Sequence, residues 1–282
     1  MCGIAGYFSV KADVKENVLR SMAESLLHRG PDHQGIWIDK DFKTGFAHAR
    51  LSILDTSSAG HQPMPSFSGR FVICFNGEIY NHLEMRKKLA ASGHSISYKS
   101  QSDTETILTC FEVWGINKTI RETVGMFAFA VFDNKENKIV LGRDRFGEKP
   151  LYYGWQGGYF YFGSELKAIR KHPAFLPEMD HDALHQYMQY AYIPAPLSIY
   201  KGIQKLSPGH LLTISLNDPA ENMSLESYWS LADVAAEAQQ SPFSGTDTDA
   251  LNELERVLAQ SVKGQQLSDV PLGAFLSGGI DS

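Results

Sequence analysis

The first two-thirds of this 282-residue sequence predicts an α+β domain. Short apolar runs of β type alternate there with runs of helical spacing, and Gly, Pro or Asn stands at nearly every boundary between them. An apolar content of 43% is ample for a globular core, and the absence of repeats or low-complexity tracts argues against a solenoid or a disordered chain.

Taken in order, strands are expected over 3–8, 45–50, 71–75, 126–132, 138–142 and 159–162, where β-branched and aromatic residues cluster or alternate. Apolar spacing of three and four predicts helices over 15–27, 83–92, 104–114, 164–171 and 181–190. Pro194, Pro196, Pro208, Gly202 and Gly209 then break the pattern, so the first domain is expected to end near residue 195. A short strand comes next at 210–215, and 232–248, rich in Ala, Gln, Ser, Asp and Thr, reads as a linker or mobile surface segment. Thr246 or Asp247 is placed to cap a helix over 249–263, which carries Leu251, Leu254, Val257 and Leu258 on one face. The run 270–276 has the pattern of a buried strand. The expected division is therefore 2–195, a connecting segment 196–245, and the start of a second domain at 246–282.

A net charge of −6 with no Lys/Arg block argues against a nucleic-acid partner. The start of the chain lacks the basic and apolar regions of a secretory signal, and no run is long enough to span a bilayer, so no membrane is expected and a cytoplasmic location is. Cys2, Cys74 and Cys110 show no C-x-x-C spacing, which excludes the usual disulfide and zinc patterns. Cys74 and Cys110 sit in apolar contexts and read as core residues. The histidines have no metal-ligand spacing, so no metal site is expected within the chain.

Two segments carry chemistry. Met1 precedes the small residue Cys2, so trimming of Met1 would put an amine and a thiol on one terminal residue. Such a residue can use its own α-amine as general base, since a thiol of pKa about 8.5 faces an amine of about 7.7–8.0. A buried Cys that happens to come second is the plain alternative. At the other end, Ser277-Gly278-Gly279-Ile280-Asp281-Ser282 comes after an apolar run, the setting of an anion-binding loop, although a frayed Gly-rich tail has the same composition. A whole doubly wound nucleotide-binding domain does not fit before Ser282, so the chain is expected to be a piece of a longer protein.

The segments Met1-Cys2-Gly3-Ile4, His28-Arg29-Gly30-Pro31-Asp32, Ala49-Arg50-Leu51-Ser52-Ile53, Gly60-His61-Gln62-Pro63, Phe75 to Asn81, Ser102-Asp103-Thr104-Glu105, Gly125 to Phe129 and Gly142-Arg143-Asp144 occur in that order. With them the sequence resembles the N-terminal part of glutamine-dependent asparagine synthetases over essentially its whole length. The resemblance implies a class II glutamine amidotransferase domain with the four-layer αββα fold of N-terminal nucleophile hydrolases, followed by the start of an α/β ATP-pyrophosphatase-type synthetase domain. It implies that Cys2 attacks L-glutamine, with Asn76 and Gly77 as oxyanion donors, and that Arg50, Leu51, Ile53, Asn76, Gly77, Glu78 and Asp103 bind glutamine.

Arg50 would take the α-carboxylate and Asp103, helped by Glu78, the α-ammonium. From the residues alone, Asn76-Gly77 also fits a hairpin turn, Asp103 a helix cap and Arg50 a surface ion pair. His28-Arg29-Gly30 is expected in a loop closing over glutamine, with a solvated Gly-Pro turn as the alternative. By the same resemblance Leu276, Ser277, Gly278, Gly279, Asp281 and Ser282 belong to an ATP site served by Mg²⁺. Ammonia would pass from Cys2 to ATP-activated L-aspartate, giving asparagine, AMP and pyrophosphate, and a homodimer is suggested. Relatives of this architecture amidate other carboxylates, such as sugar acids, and some are catalytically silent. Here the retained Cys2, Arg50, Asn76 and Asp103 speak against silence.

Overall fold

The computed structural model describes residues 1–93, 96–217 and 223–280. The elements in chain order are β1 Gly3–Ser9, α1 Glu16–Glu24, β2 His33–Ile38, β3 Thr44–Arg50, β4 Met64–Pro65, β5 Phe71–Ile79, α2 His82–Ala91, α3 Asp103–Trp114, α4 Ile116–Glu122, β6 Gly125–Asp133, β7 Lys138–Arg143, β8 Tyr152–Gln156, β9 Tyr159–Gly163, α5 Leu166–Ile169, α6 His181–Tyr190, β10 Ile203–Lys205, β11 His210–Ser215, β12 Met223–Ser227, α7 Leu231–Gln240 and α8 Asp247–Gly264. The strands form two antiparallel sheets, ordered β10-β8-β9-β1-β3-β2 and β12-β11-β7-β6-β5-β4.

The period-2 alternation of the strands explains the layering. In β1, Ile4 and Phe8 face the space between the sheets, whereas Ala5 and Tyr7 face out to Leu19 and Met22 of α1. In β6, Ala128, Ala130 and Phe132 face the other sheet, and Phe127, Phe129 and Val131 face out to Ile107, Leu108 and Phe111 of α3. Helix, sheet, sheet and helix therefore stack in four layers, with a core in each of the three gaps, as the family resemblance implies. Cys74 fills the middle core and Cys110 an outer one, both fully buried.

Several elements differ from the sequence reading. Residues 71–75 are only the first half of β5, which continues through Asn76, Gly77 and Glu78 because β6 pairs with it along its whole length. The hairpin of β8 and β9 turns at Gly157-Gly158, both at positive φ, as a two-residue turn requires, and β8 is not evident from its own residues. The helix expected over 164–171 is one turn, α5, since the Glu165 carboxylate caps nothing and instead meets Arg29, His28 and Lys167, and Pro173 lies just beyond. Past residue 195, β10 joins the first sheet and β11 and β12 the second, so both sheets draw strands from the chain beyond the expected boundary.

The segment 232–248 is not a linker throughout. Ser230 caps α7 there, accepting a hydrogen bond from Asp233 N at 3.3 Å. The buried strand expected over 270–276 is absent: these residues form no strand, and Leu272, Phe275 and Leu276 are exposed. An apolar run becomes a strand only where a neighbour completes its hydrogen bonds, and none does so here among the described residues.

Candidate active site

The register of β1 on β3, Gly3 opposite Ala49, carries Cys2 to the end of β3, where Arg50 and Leu51 stand. β5 brings Asn76, Gly77 and Glu78 from the other sheet, and the first turn of α3 brings Asp103. His48 helps join the sheets here, its Nε2 lying 3.1 Å from the Phe75 carbonyl oxygen. Burial pushes the His48 imidazole down to about 4, so it stays neutral. All seven residues expected at glutamine, together with Cys2, Gln62 and Lys149, line one cavity of about 120 Å³.

The Cys2 thiol donates to the Leu51 carbonyl at 3.5 Å, and its sulfur accepts from Leu51 N at 3.4 Å. Burial pushes this thiol up, against the opposing pull of the Leu51 amide, the chain amine and Arg50. Arg29 Nε donates to the Cys2 carbonyl at 2.9 Å, and its guanidinium is itself held by Glu165 at 3.0 Å. Arg29 thus lies inward as an anchor for the nucleophile's backbone, where the sequence suggested a loop closing over glutamine or a solvated turn. The N-terminal ammonium, carried here by Met1, is pushed down by burial, with Arg29 and Lys149 acting in the same direction.

Asn76 is 1% exposed, and its amide nitrogen Nδ2 has no hydrogen-bond partner among the described residues. A buried donor left unsatisfied costs about 1–3 kcal/mol, so its persistence at a cavity wall marks it as available to a ligand. Asn76 and Gly77 lie within β5, opposite Ala128 and Phe127, and so are not the hairpin turn that the dipeptide alone allows. Glycine is required at 77 by packing, because a Cβ would sit 2.3 Å from the Met126 carbonyl oxygen.

Asp103 is freed from helix capping by Ser102, whose hydroxyl accepts from Glu105 N at 3.2 Å. Its Oδ2 accepts from Ile79 N at 2.8 Å, and burial raises its carboxyl to about 6 despite that bond. Burial also raises the half-buried Glu78, with Lys149 opposing.

Arg50 is 4% exposed and is not a surface ion pair. Its Nη1 donates to Ser57 O at 2.8 Å, and its Nη2 donates to Leu54 O at 3.4 Å and to Asp55 O. Nε–H and one Nη1–H remain, on opposite edges of the guanidinium, so a two-bond grip on a carboxylate requires release of a loop carbonyl. Gly60 permits this packing, since a Cβ there would lie 2.1 Å from Arg50 Nη2.

Gln62, Glu165 and Lys149 were not singled out from the sequence. Gln62 Oε1 accepts from Phe75 N at 2.6 Å, and its Nε2 donates to Thr104 Oγ1 at 3.3 Å, bracing β5 against α3 beside Asn76 and Asp103. The Gly60-His61-Gln62-Pro63 segment was its signal, whereas Glu165 had none.

The residues expected at ATP are elsewhere. Leu276 and Ile280 are exposed, and Gly279 N donates to Ser277 Oγ at 3.2 Å. Among the described residues this is an exposed turn, with nothing within 4 Å of a Cβ built at Gly278. Asp281 and Ser282 lie outside the described residues. No group of His, Cys, Asp or Glu is arranged to hold a metal among the described residues.

The glutamine amidotransferase domain family matches residues 1–229, and the asparagine synthase family matches residues 253–282. The chain is 36% identical over 300 residues to a putative glutamine-hydrolysing asparagine synthetase 2 of Methanocaldococcus jannaschii, covering all of this chain and 55% of that protein. It is 37% identical over 291 residues to asparagine synthetase 2 of Bacillus subtilis, covering all of this chain and 38% of that protein. To asparagine synthetase B of Escherichia coli it is 32% identical over 285 residues, covering all of this chain and 43% of that protein. The chain thus spans about half the length, or less, of these relatives. Among solved structures, a glutamine phosphoribosylpyrophosphate amidotransferase of B. subtilis superposes with a TM-score of 0.57 at 17% identity, covering 81% of this chain and 49% of that one, a likeness of fold.

Proposed function

Because the chain belongs to the glutamine amidotransferase domain family, we propose that the cavity at Cys2 hydrolyses the side-chain amide of L-glutamine and that the ammonia serves an asparagine synthetase reaction. The observation that carries the first half is the Asn76 amide nitrogen, without a partner among the described residues, in the same cavity as the Cys2 thiol. Removal of Met1 exposes the Cys2 α-amine, which takes the thiol proton as the sulfur attacks the amide carbon. At the Met1 amine, burial, Arg29 and Lys149 lower the pKa while Cys2 raises it; a free Cys2 amine, with an ordinary pKa of about 7.7–8.0, has a useful free-base fraction near neutral pH.

The tetrahedral oxyanion gains a hydrogen bond from Asn76 Nδ2, with the Gly77 N–H as the second donor. The proton then passes to the departing ammonia, leaving a γ-glutamyl thioester that water hydrolyses to glutamate and free thiol. The ionised Asp103, with Glu78, takes the substrate's α-ammonium, and Arg50 supplies the positive charge for its carboxylate. Leu51 and Ile53 line the same end of the cavity.

Aspartate is favoured as the acceptor by the names of the relatives, all glutamine-hydrolysing asparagine synthetases. ATP with Mg²⁺ would activate it by forming an acyl-adenylate. Residues 276–282 would contribute the first edge of that site. A cytoplasmic homodimer fits this reading, and no helix among the described residues is long and apolar enough to cross a membrane. Ammonia release from glutamine tests the proposal: Cys2→Ala should lower it by about four orders of magnitude or more, as for loss of a catalytic nucleophile, and equal rates would refute it.

A further inference from the structure

We propose that Asp269 is a positioning residue for glutamine binding, clasping the turn at 53–55 so that Arg50 and Asp103 keep the spacing that fits the two charged groups of the substrate. This rests on the function proposed above. The clasp is reciprocal: Asp269 N donates to the Ile53 carbonyl at 3.1 Å, and Asp269 Oδ2 accepts from Asp55 N at 2.7 Å. Asp55 has a φ of 51°, in the left-handed region, which an Asp tolerates better than most residues and which these hydrogen bonds hold in place.

Asp55 joins both sides of the pocket. Its carbonyl accepts from Arg50 Nη2, while its Oδ2 accepts from the amide of Gln101, two residues before Asp103, at 2.8 Å. Its Oδ1 also accepts from Ser57 N at 3.1 Å, closing the turn whose Ser57 carbonyl holds Arg50 Nη1. One residue therefore fixes the guanidinium and the approach to the carboxylate together, and its own backbone is fixed by a side chain 214 residues later. Asp269 lies in the part of the chain matched to the asparagine synthase family, between α8 and the Ser277–Gly279 turn. Through it, the region assigned to ATP chemistry contacts the loop that recognises glutamine.

The test is steady-state glutaminase kinetics on the full-length protein, with thermal unfolding as a control. Asp269→Ala should raise the glutamine KM about tenfold while kcat stays within about twofold, because only the binding end of the cavity is disturbed. Asp269→Asn, which keeps an acceptor oxygen for Asp55 N, should return KM to within about threefold of wild type. Synthesis driven by added ammonia should be unchanged in both variants. An unchanged KM in Asp269→Ala overturns the inference, as does a fall in kcat and in ammonia-driven synthesis matched by a loss of thermal stability. If Asp269→Ala fails to fold, a wild-type KM in Asp269→Asn together with a raised KM in Gln101→Pro, which removes the N–H that donates to Asp55 Oδ2, supports it; a wild-type KM in Gln101→Pro overturns it. Wild-type protein that releases no ammonia from glutamine overturns the proposed function itself, a result separate from any difference among variants.

Discussion

α3 and α8 are both well-capped helices with apolar residues at helical spacing, yet eight residues of α3 are buried and none of α8. Ser102 caps α3, and Thr246 forms a full capping box with Asp249 at the start of α8. Local sequence chemistry therefore starts both helices equally well. The difference lies in what each faces: Phe111 packs on Phe71 and Phe129 of the second sheet and is 0% exposed, whereas Leu251, Leu254, Leu258 and Val262 are 54–67% exposed. Capping and periodicity decide that a helix forms; a facing sheet decides whether its apolar stripe contributes to stability.

Substitutions can break or sharpen this contrast. The largest effect on stability is expected at Phe111→Ala, about 3–5 kcal/mol for a fully buried aromatic, measured by denaturant unfolding. Next comes the pocket that the same helix helps to build. Asn76→Ala should cost about 2.7–4 kcal/mol of catalytic barrier, a hundred- to a thousandfold in kcat, with little change in unfolding, because its Nδ2 has no hydrogen-bond partner among the described residues.

A smaller effect is expected from pH. The Asp103 carboxyl, raised by burial to about 6, must be ionised to hold an ammonium, so the glutamine KM should rise as pH falls through about 6, by up to about tenfold per unit. Asp103→Asn should remove that dependence and leave a KM that is uniformly high. The smallest effect belongs to α8: Leu254→Ala should change stability by no more than about 0.5 kcal/mol. A cost there equal to that of Phe111→Ala would mean that something covers α8 and would end the contrast.

The same division explains what was legible in the sequence. The central strands and α3 were readable because each carries a period that its sheet rewards, as in the Ala128, Ala130 and Phe132 face of β6. β8 was not, since Tyr152–Gln156 takes its strand character from pairing with β9 across a two-glycine turn. The apolar run at 270–276 failed in the opposite sense, having strand composition but no partner among the described residues. At the site, the resemblance named Cys2, Arg50, Asn76 and Asp103, which the two sheets and α3 bring to one cavity from four separate stretches of chain. It did not reveal that Arg50 spends its Nη2 donors on Leu54 and Asp55, or that Glu165 holds the arginine behind Cys2, because both depend on side-chain direction rather than on residue type.

The three cysteines give the most direct test of the central claim, since Cys74 and Cys110 are walled into cores and Cys2 alone opens on the cavity. Purified protein would be treated with a glutamine-mimicking electrophile and mapped by peptide mass spectrometry. The account predicts one adduct, on a Cys2 that has lost Met1, blocked by excess glutamine. Labelling of Cys74 or Cys110, no labelling at all, or an adduct on a chain that keeps Met1 would contradict it.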